Sequence, residues 1–144
     1  MTIDRERILE KVAYIRGQLV DIRALTKDKT RAEILNDQWL VKGLKYSLQT
    51  AIEALIDIAY HLSAKQFNHA PVDARDALQF LVSKEILPSG EFETYSAMVG
   101  FRNRVVHGYQ QVSDQRVYEI STKEIGSFES FIDQVLRYLQ NQLA

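Results

Sequence analysis

Cysteine is absent from the 144 residues. Disulfides, thiolate zinc sites, iron–sulfur clusters and a cysteine nucleophile are therefore excluded. Glycine occurs six times and proline twice, and so little punctuation favours long helices over many short strands. Neither sign of charge prevails: 18 Lys and Arg stand against 19 Asp and Glu, a formal net charge of −1. That balance excludes a uniformly basic nucleic-acid coat and leaves RNA or DNA contact to a local basic patch. No apolar run approaches the roughly 18–20 residues of a membrane span. The opening MTIDRERILEKV is charged and periodic, unlike a signal peptide. A cytoplasmic chain with no membrane contact is the expectation.

What is present is helical periodicity. At 46% hydrophobic and 26% charged, the chain can bury a sizeable core. Ile8, Val12, Ile15, Leu19 and Ile22 recur every three or four residues and predict a first helix over about Ile3–Leu25. Thr30 and Glu33 read as a capping box. It opens a second helix running to about Lys65, with a kink near Gly43 as the competing reading. Unbroken, that helix would approach 50 Å. A short third helix covers Ala74, Leu78, Phe80 and Leu81 and ends near Leu87-Pro88. A fourth runs from Glu91 to about Val106, closed by Gly108. Tyr109–Ile120 is polar and ambiguous. Ser121 and Glu124 read as a second capping box opening a last helix through Ile125, Phe128, Ile132, Val135, Leu136 and Leu139. The sum is an all-α antiparallel bundle of four to five helices, with residues 1–144 as a single domain.

The chemically informative stretch is Phe101-Arg102-Asn103-Arg104-Val105-Val106-His107-Gly108-Tyr109. At 100° per residue, Asn103 and His107 share a helix face, about 40° apart, while Arg102 and His107 are about 140° apart. Those two converge only if the arginine wraps around or the last turn loosens. Histidine can move a proton on or off a ribose hydroxyl. A guanidinium can grip a scissile phosphate bidentately. Asn103 can orient the histidine or contact a phosphate oxygen, and attack by a 2′-hydroxyl needs no metal. The bland alternative is an Arg and a His complementing a helix C-terminus.

Arg102-x4-His107-x-Tyr109, with Asn103 after the arginine and Val105-Val106 before the histidine, resembles the RX4HXY motif of HepT-type toxins in the HEPN superfamily. The resemblance extends over the whole chain. It implies a HEPN-like bundle acting as a homodimer, with the motif in a cleft at the interface. It implies a metal-independent endoribonuclease toxin with no cofactor, in which Arg102, His107 and Asn103 serve catalysis. It also implies a partner, an MntA-type nucleotidyltransferase antitoxin that transfers AMP to Tyr109. The alternative is a non-catalytic helical adaptor for that nucleotidyltransferase.

Glu53, Asp57 and His61 fall at spacings of four on the second helix. They form either a polar stripe supporting the active site or a solvated face. Arg104 projects about 200° from Arg102 and reads as a phosphate contact or a surface charge. Trp39 reads as a core or dimer contact in preference to an RNA-stacking platform, and His69 as an ordinary loop residue. The scattered histidines and carboxylates make no metal-ligand pattern.

Overall fold

The computed structural model describes residues 3–108 and 112–142. All regular elements among the described residues are helical, with no strand. Helix α1 spans Arg5–Asp28 and buries Ile8, Val12, Ile15, Leu19 and Ile22, the predicted stripe. Each such side chain contributes on the order of 1.5–3 kcal/mol on leaving water. Asp4 caps the helix by accepting the Arg7 N–H at 3.0 Å.

The predicted 30–65 helix is not continuous. The Thr30/Glu33 capping box is present, but it opens only a five-residue helix, α2, Arg31–Leu35. The break falls at Asn36-Asp37, not at Gly43. Asp37 adopts an extended conformation and its carboxylate accepts the N–H groups of Trp39 and Leu40, so a fresh helix, α3, starts and runs over Gln38–His61. An aspartate side chain competes with the backbone for those N–H groups, and it wins where a cap is available. At 24 residues, α3 is about 36 Å long. A π-helical turn, Leu62–Gln66, follows.

Four further helices complete the bundle around α3: α4 (Ala74–Ser83), α5 (Phe92–His107) and a C-terminal pair, α6 (Asp114–Lys123) and α7 (Ile125–Asn141). Helix α3 packs against α1, α2, α4, α5 and α6, and Ala51, Ile52, Leu55, Ile58 and Ala59 are buried along it. The count exceeds the four or five expected because the second helix divides and part of the ambiguous stretch becomes α6. The proposed capping box at Ser121 and Glu124 is wrong. Ser121 is buried inside α6 and donates to the Val117 carbonyl at 2.8 Å, while the Glu124 carboxylate pairs with Arg116. The cap in this region is Ser113, which accepts the Arg116 N–H at 3.0 Å. Trp39 is not a core residue: 79% of it is exposed, with the Lys42 ammonium 4.8 Å from its ring centroid.

Candidate active site

Helix α5 divides its residues by face. Tyr95, Met98, Val99 and Phe101 are buried. Tyr95 is anchored by donating to Glu91 at 2.5 Å and by an edge-on contact with Phe131. The rest of the helix surface presents Arg102 and Asn103 on one side, Arg104 on another and His107 at the end. Gly108 ends the helix in the left-handed region at φ 68°, where a side chain would be strained. Its N–H donates to the Arg104 carbonyl at 3.1 Å.

Arg102 is half-buried and fixed from two sides. Its Nε donates to Glu53 Oε2 on α3 at 3.2 Å, and its Nη1 donates to Asn103 Oδ1 at 3.1 Å. Nη2 has no hydrogen bond among the described residues and is available to a ligand. Asn103 thus orients the arginine. The two side chains edge a cavity of ≈ 470 Å³ whose other walls include Asp57 and Tyr60 of α3 and Val72–Arg75 at the start of α4. Two carboxylates there already have partners. Asp57 takes Lys11 at 3.0 Å, and Asp73 caps α4 by accepting the Asp76 N–H at 2.8 Å. The Tyr60 hydroxyl has its pKa raised, first by burial and then by Asp73 and Asp76, with Arg102 opposing.

His107 is the last residue of α5, exposed, one turn beyond Asn103 and outside the walls of that cavity. The helix stays α-helical through His107, so the loosened last turn that would bring it toward Arg102 is not present. Arg104 lies on the far side, as its angle predicts, beside Gln38, Lys45 and Asp114. His61 does not join the motif. Its Nε2 accepts the Asp4 N–H at 2.9 Å. Burial, Arg7 and Lys65 lower its pKa. The stripe Glu53, Asp57, His61 therefore splits among three partners: Arg102, Lys11 and the start of α1. His69 stacks on Phe80 with centroids 4.0 Å apart and pairs with Asp76 at 3.2 Å, a loop residue that braces α4. Tyr109 lies outside the described residues. No cluster of three metal-ligating side chains is found among the described residues, and no helix among them is long and apolar enough to cross a membrane.

The sequence places Glu53 on a stripe without revealing its partner, and gives Arg75 no role beyond the start of a helix. The charge of Glu53 on the α3 face that meets α5 was the one available signal.

The family model described as "Ribonuclease HepT-like" matches residues 15–135. The chain is 29% identical over 126 residues to the mRNA nuclease HepT of Shewanella oneidensis, covering 88% of this chain and 93% of that protein. Among solved structures it resembles the tri-AMPylated HEPN toxin of Shewanella oneidensis in complex with an MNT antitoxin. There the TM-score is 0.83 and the identity 28%, over 91% of this chain and 97% of that one. YutE, a cytosolic protein of unknown function from Bacillus subtilis, superposes with a TM-score of 0.83 over 99% of this chain and 96% of its own; at 18% identity the likeness is one of fold alone.

Proposed function

The chain belongs to the HepT-like ribonuclease family, and from that membership we propose how its residues carry the activity. The protein is an endoribonuclease toxin, neutralised by a nucleotidyltransferase antitoxin, and residues 1–144 act as one HEPN-like domain. The observation that carries the site assignment is the clamped Arg102. A guanidinium held at Nε by Glu53 and at Nη1 by Asn103 is positioned to take a phosphate oxygen without first losing its own conformational freedom. His107, one turn further on, is the general acid and base. It accepts the proton of a ribose 2′-hydroxyl as that oxygen bonds to phosphorus. The phosphorus–O5′ bond breaks, and the imidazolium returns the proton to the leaving oxygen. Arg102 stabilises the charge gathered on the non-bridging oxygens. The products are a 2′,3′-cyclic phosphate and a 5′-hydroxyl, and no metal or cofactor takes part in this scheme.

His107 stands outside the Arg102 cavity of its own chain, which favours a homodimer in which a second copy completes the cleft. The partner reading follows the relatives: a MntA-type enzyme transfers AMP from ATP to Tyr109, placing an anionic, bulky group beside the motif. On this reading both proteins meet the RNA in the cytoplasm.

The test of the toxin reading is intact mass after incubation with the cognate nucleotidyltransferase and ATP, followed by an RNA cleavage assay. Wild type gains one or more adenylyl increments and loses activity. Tyr109→Phe keeps its mass and most of its activity. Equal modification of both proteins would contradict the assignment of Tyr109.

A further inference from the structure

Two arginines from different helices converge beside Gly100, on the opposite side of α5 from the Glu53 contact. Arg75 of α4 donates from Nε to the Ser96 hydroxyl at 2.8 Å and from Nη2 to the Ser96 carbonyl at 3.3 Å. Arg104 approaches from one turn along α5. Gly100 lies between them. A Cβ there would stand 3.1 Å from Arg75 Nη2 and 3.5 Å from Arg104 Nη1. The missing side chain is what lets both guanidinium groups lie against the helix. Neither arginine has a carboxylate partner among the described residues. The nearby Arg116 is neutralised by Glu119 and Glu124, and Glu93, on the same groove, pairs with neither. Two unneutralised guanidinium groups aimed at one point repel each other unless an anion lies between them.

Arg75 also belongs to the Arg102 cavity, so it joins two grooves: one walled by Arg102 and Asn103, the other by Arg104 and Gly100. We propose that Arg75 and Arg104, seated over Gly100, bind a backbone phosphate of the RNA next to the scissile one, so that the strand crosses α5 from the Arg102 cavity to the Gly100 saddle. This rests on the ribonuclease reading for the identity of the polymer. The contact fixes register and carries no base preference.

The experiment is binding of a single-stranded RNA 12-mer, measured against salt, in a His107→Ala background so that the strand stays whole. Adding Arg75→Ala weakens binding roughly three- to tenfold near 0.1 M salt. It also reduces the slope of log K against log salt by about 0.7, the value for one phosphate contact on a single strand. Arg75→Lys keeps the slope and loses part of the affinity, because the charge remains while the guanidinium that Ser96 holds in place does not. Arg75→Ala with Arg104→Ala loses less than the product of the single effects, since one phosphate is shared. Ser96→Ala removes the hydroxyl bond to Arg75 but leaves the bond to the backbone carbonyl and the charge, and so keeps the slope. An unchanged slope in Arg75→Ala, or an equal loss in Ser96→Ala, overturns the proposal. Arg75-dependent binding in this background, beside a protein with His107 intact that cuts no RNA, upholds the saddle and overturns the ribonuclease reading. One that cuts RNA with an Arg75-independent slope does the reverse.

Discussion

The Arg102 guanidinium shows how much of a functional residue's role lies outside its own motif. Its chemistry was legible in the sequence, because Arg, Asn and His gathered before a helix-ending glycine are a local signal. Its anchor was not. Glu53 is 49 positions away in the chain, and only the packing of α3 on α5 brings the two together. His61 makes the same point in the opposite direction, since its spacing from Asp57 suggested a place near the motif, while the fold uses it to receive the Asp4 N–H. That bond needs a neutral Nε2, and the histidine's pKa lies below its ordinary 6.5, chiefly through burial. The sign follows. The unfolded chain takes up the proton more readily, so stability is complete above about pH 6.5 and falls as the pH drops toward the lowered folded value. Asp76, held below its usual 3.8 by the Val72 N–H, titrates beneath that window. Urea unfolding at pH 7.5 and 5.5 will show wild type losing stability on acidification and His61→Gln losing less. An equal loss in both would contradict this role.

At the level of elements, periodicity and capping were read with unequal success for a physical reason. The stripe of α1 repeats over about four turns, from Ile8 to Ile22, and every member is buried, so no competing signal exists. The interruption at Asn36-Asp37 was hidden because the apolar pattern resumes almost in phase, from Leu35 to Trp39 and Leu40, and a cap can restart a helix without disturbing the stripe. Ser121-x-x-Glu124 has the residues of a capping box, yet Ser121 is inside α6, and Ser113 holds the cap ten residues after Asn103. Helix α3 also leaves apolar surface outward: Trp39 is 79% and Tyr46 63% exposed, with Val106 of α5 at 43%. Exposed aromatics spaced seven apart on one helix offer an apolar surface to the second copy of the proposed homodimer. Light scattering of wild type should give about twice 16.6 kDa, and Trp39→Glu with Tyr46→Glu should give the monomer. A wild-type monomer at micromolar concentration would remove the composite cleft.

The whole molecule is a bundle in which one central helix, α3, fixes the arginine of a motif carried by another, α5, while the motif histidine stands exposed at the end of that second helix. Its near-neutral composition is compatible with RNA because the cationic groups are local: Arg102 on one side of α5, Arg75 and Arg104 on the other. The overall helical class and the position of the motif followed from the sequence. The direction each side chain takes required the tertiary contacts. All of the functional account depends on one histidine and one arginine acting on a phosphodiester. The most direct test is cleavage of end-labelled RNA in EDTA by wild type, Arg102→Lys and His107→Ala, with the product ends identified. The account predicts cyclic 2′,3′-phosphate ends from wild type and losses on the order of 10²–10⁴ in rate for each variant. Full activity in His107→Ala, or wild-type cleavage that stops in EDTA, would contradict it.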